Sequence, residues 1–479
     1  MKKIISVLLV LSMVLVLGAS ALASSEEPNE PADRPEPLVV EGETYITDHV
    51  IGASAVYVSG ESKVFDDTYF YGAGYADDDQ IVGQIPNQYG MCAVVLACGQ
   101  GTEVTLNDPT IVSDPQSYSN GVFAAAMAKV TINGGTIDTD NSSGHGIDTT
   151  YMGHVYAYDT VIHTRGMTSG GLASDFGGGF IQGERLDVTT DGMASPGIFC
   201  AGTTIIMLKD SKLTANGGTG VVVAHDHAVT VLEDCEVNAK SAVISGLQAL
   251  PSPEQSDGSR AFIFGGTLTS ESGEIVSESG GRTEVNLVGV ECHPGGDAVI
   301  SASKGILTVN VWDTELTGNV TCADGATLVI NLYDGAKLTG EVTGNVELNV
   351  YAGGEYAGSY AVNAVETTGE PAPVPGGFDD YLISDWGTGS LTWKESRAQE
   401  YVTEVEPLIL ENSAACYVKE GASSVTYDPE TYDPSENGVD LSLLDVNGAH
   451  GFTLDEVFGG AESRTFSGSG EASGESSAS

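Results

Sequence analysis

An apolar residue returns every 22 to 28 positions through the middle of the chain: Val94, Val122, Ile147, Leu172, Ile198, Val221 and Val243. The series continues through Ile275, Val299, Val320 and Val342, with one step of 32 residues where "LQALPSPEQSDGSR" intervenes. A second apolar run follows each anchor, as in "KVTINGGTIDT", "HVYAYDTVIHT", "TIIMLKDSKLTA" and "AVTVLEDCEVNA". A period in the low twenties, short β-branched strands and Gly/Asn/Asp turns specify a solenoid, because one unit cannot bury its own apolar side and must stack on the next. Sandwich strands follow no constant period, and propeller repeats run near 40 residues. The expectation is an all-β, right-handed parallel β-helix of about eleven coils over 46–362, with Val122, Ile147, Leu172, Ile198 and Val221 stacked as one interior ladder.

The periodicity also draws the boundaries. Lys2 and Lys3 precede an apolar run from Ile4 to Leu17, and Ala21-Leu22-Ala23 follows. That order reads as a secretory signal peptide over 1–23 rather than a membrane anchor, so the mature chain is expected to start near Ser24, outside the cytoplasm. Residues 24–45 are Pro/Glu-rich and read as a disordered lead-in. Residues 363–460 carry aromatic, strand-like pieces such as "LISDWGTGSLTW" and read as a β-rich C-terminal cap. Residues 461–479 are a low-complexity tail. Two insertions, 72–91 and 247–260, break the rhythm.

Charge restricts the partners. Eighteen Lys and Arg against 67 Asp and Glu give −49, and losing Lys2 and Lys3 with the leader makes it −51. Such a chain repels nucleic acid and anionic membranes, and polyanionic glycans as well unless Ca²⁺ bridges them. The seven cysteines are scattered and odd in number, so at least one stays outside any intramolecular disulfide. Cys200 lies two residues after an inward anchor and is expected in the core.

The coils "GVFAAAMAKVTINGGTIDT", "GHGIDTTYMG", "SGGLASDFGGGFIQ", "TTDGMASPGIFCAG" and "LKDSKLTANGGTGVVV" resemble those of secreted, adhesin-like right-handed β-helix proteins of bacteria. Members of that group show Gly-Ile-Asp, an Asp-x-Gly-Gly-Gly turn and a Ser-Pro-Gly/Ala-Ile segment in consecutive coils. The likeness covers about 50–345 and implies fold and secretion, with no assigned activity. Gly144-His145-Gly146 also resembles an active-site tripeptide of polygalacturonases. The companions of that motif are missing here: no Asp-Asp pair lies one coil upstream, no Arg-Ile-Lys follows, and "DTD" (138–140) sits in the same coil. The polygalacturonase reading is therefore disfavoured.

A constellation of polar residues remains. Strand alternation sends Asp148 and Asp175 outward from neighbouring coils, with His145 just before the first strand and Tyr151 just after it. Two coils beyond Asp175, "AHDHA" brings His225, Asp226 and His227 to a turn. Four of the eight histidines (145, 154, 225 and 227) thus fall in four successive coils. One reading makes His145, Asp148, Tyr151, Asp175 and His225 catalytic candidates, with paired carboxylates as acid and base, and His154, Asp226 and His227 ligand-binding candidates. The other makes these residues a solvated face, with Asp175-Phe176-Gly177-Gly178-Gly179 a turn whose glycines accept φ > 0. Asp77, Asp78 and Asp79 are weak metal candidates, and Ca²⁺ is the one cofactor their oxygens suit. No P-loop, dinucleotide fingerprint, GxSxG elbow or HExxH occurs. The function expected is extracellular binding or structural display toward a polysaccharide or cell-surface ligand. The alternative is a polysaccharide lyase, epimerase or glycoside hydrolase working on the His/Asp face.

Overall fold

The computed structural model describes residues 44–47, 54–76, 85–99, 101–174, 178–202, 204–225, 227–247, 253–254, 256, 258–359, 364–366, 370–378 and three short strands at 392–393, 417–418 and 464–465. Within these residues the chain is a parallel β-solenoid of three walls, most coils laying one strand on each, while Val276–Val288 and Ala298–Trp312 each run unbroken over the first and second. The coil running through 122–139 shows the plan: Val122–Ala125 on the first wall, Lys129–Asn133 on the second and Thr136–Thr139 on the third.

The interior ladder forms as expected from Val122 to Val221, with Ile147 paired to Val122 and Leu172, and Ile198 paired to Leu172 and Val221. It extends to Val56 and Val95 below and to Ile244, Val276, Ile300, Val320 and Val342 above, twelve coils rather than about eleven. Four anchors read from the sequence are one residue out of step: Val94, Val243, Ile275 and Val299 precede the ladder residue instead of being it. The reason is a second inward column. Gly121, Gly146, Gly171, Gly197 and Gly220 occupy it, and a Cβ added at Gly146 or Gly171 would lie 2.4 Å from Ile162 or 2.2 Å from Val188 on the third wall. Val94, Val243, Ile275 and Val299 fill the same column in other coils and are fully buried. Two adjacent inward residues defeat a simple alternating reading.

Turns repeat as faithfully as strands. The residue between second and third walls is left-handed in ten successive coils: Asp67, Asp108, Gly134, Asp159, Arg185, Asp210, Asp234, Gly265, Gly289 and Asp313. Asp and Gly tolerate that conformation, which costs about 1–2 kcal/mol for most residues. Where Thr or Ser follows, its hydroxyl donates to the carbonyl two residues back, as Thr160 does to Tyr158 (3.0 Å), Ser211 to Lys209 (2.7 Å) and Thr314 to Trp312 (2.9 Å). Thr160 also lies 3.0 Å from the Gly134 carbonyl of the neighbouring coil, so its one hydroxyl hydrogen is shared between two carbonyls.

Strand Thr44–Ile46 pairs in parallel with Tyr69–Gly72 and opens the third wall. On its other side, Tyr417–Val418 pairs with it antiparallel. The leader, most of the lead-in, most of the cap region and most of the tail lie outside the described residues, as do Asp77, Asp78, Asp79, Asp175 and Asp226.

Candidate functional site

The face expected to carry the site is the outer side of the first wall around Ile147–Thr150. Asp148 points outward there, flanked in register by Phe123 and Ala173. That face is covered rather than open: Asp148 is 2% exposed and Ala173 2%, and Thr150 and Ala201 are fully buried. One cover is the first insertion. Its helix Ile85–Tyr89 lies against the wall, with the Thr150 hydroxyl donating to the Gln88 carbonyl (3.0 Å) and Gln88 Nε2 donating to Tyr151 Oη (2.6 Å). Tyr151 stacks on Tyr89 with centroids 5.8 Å apart, and it adopts a left-handed backbone (φ 47°) that a bulky residue keeps only when its surroundings fix it. Tyr151 therefore anchors the insertion.

His145 is held from three sides. Its backbone N–H donates to Asn120 Oδ1 (2.7 Å), its carbonyl accepts from Gly121 N–H (2.8 Å), and its Nδ1 accepts from Gly170 N–H (2.8 Å). A Cβ at Gly170 would stand 3.2 Å from Nδ1, so a larger residue there would press on the imidazole. An acceptor Nδ1 leaves the proton on Nε2, and burial pushes the imidazole pKa down to about 4. His145 is a fixed, neutral hydrogen-bond donor at neutral pH, a weak base for acid–base chemistry.

The other histidines lie elsewhere. His154 is on the second wall between Lys129 and Phe180, and burial, helped by the Lys129 charge, takes its pKa to about 4. His225 and His227 sit at the corner after Val221–Ala224, both left-handed, with the His225 carbonyl accepting from Ser259 Oγ (2.6 Å) and His227 N–H donating to Gly258 (3.1 Å). They are three coils from Ile147, about 14 Å along the axis, and at the opposite end of the strand from His145. The expected meeting of Asp148 with Asp175 falls on a residue outside the described ones, while His145 and His225 stand at different ends of this wall.

No family model, curated protein or solved structure matches this chain.

The third wall carries a polar chain that the sequence reading missed. Arg165 grips both carboxylate oxygens of Asp138, with Nη2 to Oδ2 at 2.9 Å, and the same Nη2 lies 3.0 Å from His163 Nδ1. His163 Nε2 meets Asp191 Oδ2 at 2.6 Å, and Asn216 Nδ2 donates to Asp191 Oδ1 at 2.7 Å. Asn216 and His163 hold the Asp191 carboxyl below the usual carboxylate range. Arg165 is 38% exposed and Asp191 41%, so this strip is open to solvent. The members from different coils are 25 to 28 positions apart, and only coil stacking brings them together; the one available signal was that Asp138 and His163 fall at the same phase of the repeat. Among the described residues no group of His, Cys, Asp and Glu is arranged to hold a metal ion.

Proposed function

We propose that this chain is a secreted, adhesin-like β-helical binding protein that recognises a carbohydrate or cell-surface ligand along the third wall. The observation that carries the reading is the hydrogen-bonded strip Asp138–Arg165–His163–Asp191–Asn216, which crosses four coils on a solvent-facing wall. Exposed ion pairs add only about 0–1 kcal/mol to stability, so folding has little need of this arrangement. A ligand lying along the axis meets alternating donors and acceptors at each coil step of about 4.8 Å. The net charge of −49 favours neutral or cationic ligands over polyuronates. Export rests on the apolar leader and on the likeness of its coils to secreted proteins.

The enzyme alternative needs the His145/Asp148 face. It has less support, because His145 is locked neutral and Asp148 lies under cover. A glycan array combined with a polysaccharide-degradation screen separates the two. The expected result is binding without degradation, abolished by Arg165→Ala or Asp191→Ala and kept by Asp148→Asn. Degradation lost in Asp148→Asn and kept in Arg165→Ala would replace this reading with the enzyme one.

A further inference from the structure

The second wall breaks the usual rule that one strand face is apolar and the other polar. Outward residues Phe180, Ile205, Met207, Val231 and Phe262 form a block that is buried although it lies outside the solenoid core. Phe378, more than a hundred residues further along, is seated in that block and is 2% exposed. Its backbone N–H donates to Glu233 Oε2 (3.0 Å), while Glu233 Oε1 takes Lys209 Nζ (2.6 Å), and that ammonium stands 5.7 Å from the Phe378 ring centroid. Gly377 lets the backbone come this close, since a Cβ there would lie 3.2 Å from Glu233 Oε2.

The other end of the segment is held by an indole. Trp312 Nε1 donates to the Ala372 carbonyl (3.4 Å), and the Trp312 ring is kept in place by stacking on Tyr333 at 4.6 Å. Trp312, Val288, Phe264, Glu233 and Lys209 are consecutive in one outward column. The run from Trp312 to Glu233 and Lys209 is therefore three to four coil steps, about 14–19 Å. Six residues in polyproline II geometry span about 19 Å. Pro371, Pro373 and Pro375 favour that geometry and remove three of the N–H groups that the exposed stretch would otherwise have to satisfy.

We infer that the second wall is a docking groove for an extended, proline-rich segment ending in an aromatic residue, and that residues 371–378 of this chain are its resident occupant. The recognition follows the general physics of proline-rich ligands: an aromatic-lined strip, an indole N–H on a carbonyl between prolines, and a low entropy loss because the ligand is already extended. The specificity is in the Phe378 pocket and the Glu233 acceptor, and the prolines set the distance between the two anchors.

The test uses the full chain and a fluorescein-labelled synthetic peptide of residues 369–380. Wild-type protein, its groove filled, is expected to leave the peptide free. Phe378→Ala protein is expected to bind one peptide per chain, and the same peptide carrying Phe378→Ala is expected not to bind. In Glu233→Ala protein, which keeps the apolar block, exchange of the Phe378 amide hydrogen should speed up at least about tenfold over wild type. The inference is overturned if Phe378→Ala protein with unchanged β-sheet circular dichroism ignores the peptide, or if the wild-type Phe378 amide exchanges as fast as in the free peptide. Subunit exchange between differently labelled wild-type chains, with the segment crossing over, would overturn the assignment of the occupant to the same chain.

Discussion

At the scale of the residue, burial sets the direction in which single groups respond to pH. His145 and His154 are held near pKa 4, below the 6.5 of a free imidazole, so between those values the unfolded chain binds more protons than the folded one. Their contribution is present above about pH 6.5 and is lost as pH falls toward 4, on the order of 1–2 kcal/mol each after allowance for partial exposure. Urea unfolding from pH 7 to 4 should show this loss, and His145→Asn should flatten the slope. Glu278 acts in the opposite sense. Its side chain points into the core, Oε1 accepts from Gly280 N–H (2.9 Å) and Gly281 N–H (2.6 Å), and burial raises its pKa against the opposing effect of the Thr283 hydroxyl and these amides. A raised carboxyl favours the folded state while protonated and weakens it as pH climbs through the folded value. Glu278→Gln should therefore stabilise the protein at pH 8 and change little at pH 4, measured as the shift in melting temperature. Burial holds the Cys200 and Cys235 thiols up to about 12, so neither should react with a thiol reagent until the chain unfolds.

At the scale of the element, each coil is defined by its two inward columns and its left-handed corner. Gly171→Ala places a methyl group 2.2 Å from Val188 Cγ1, and an overpacked core of this kind costs about 1–3 kcal/mol, readable as a lower urea midpoint. The pair Gly171→Ala with Val188→Ala should lose less than the sum of the two single changes, because the second makes the space the first needs. At the corner, Asp210→Val should cost about 1–2 kcal/mol while Asp210→Gly is nearly neutral, since the position is left-handed. These columns explain what the sequence discloses. The ladder was legible because Val122, Ile147, Leu172, Ile198 and Val221 each follow a glycine that cannot be mistaken for the anchor. It slipped by one at Val94, Val243, Ile275 and Val299 because two β-branched residues stand together there and both face inward. The outward direction of Asp148 was legible from alternation; its cover was not, since the insertion that carries Gln88 and Tyr89 approaches from outside the repeat.

At the scale of the whole molecule, chemistry is distributed by stacking, so residues about 25 positions apart become neighbours and residues three coils apart do not. This is why the histidine cluster of the sequence separates into different places, while Asp138, Arg165, His163, Asp191 and Asn216, which share no motif, join. The leader adds a prediction at this scale: intact mass of exported protein should begin at or close to Ser24, and a retained Met1 would remove the case for secretion. The chain also doubles back. After climbing twelve coils it sends 370–378 down the second wall and lays Tyr417–Val418 against Thr44–Ile46, at the end where it began. In the language of crystal growth, a parallel stack is a one-dimensional lattice and its first strand a growth step, on which any incoming strand of the same direction could add. A strand of opposite direction adsorbed there acts as an impurity on the step. It covers part of that edge on the third wall, so a further coil stacking there would meet Tyr417–Val418 instead of Thr44–Ile46.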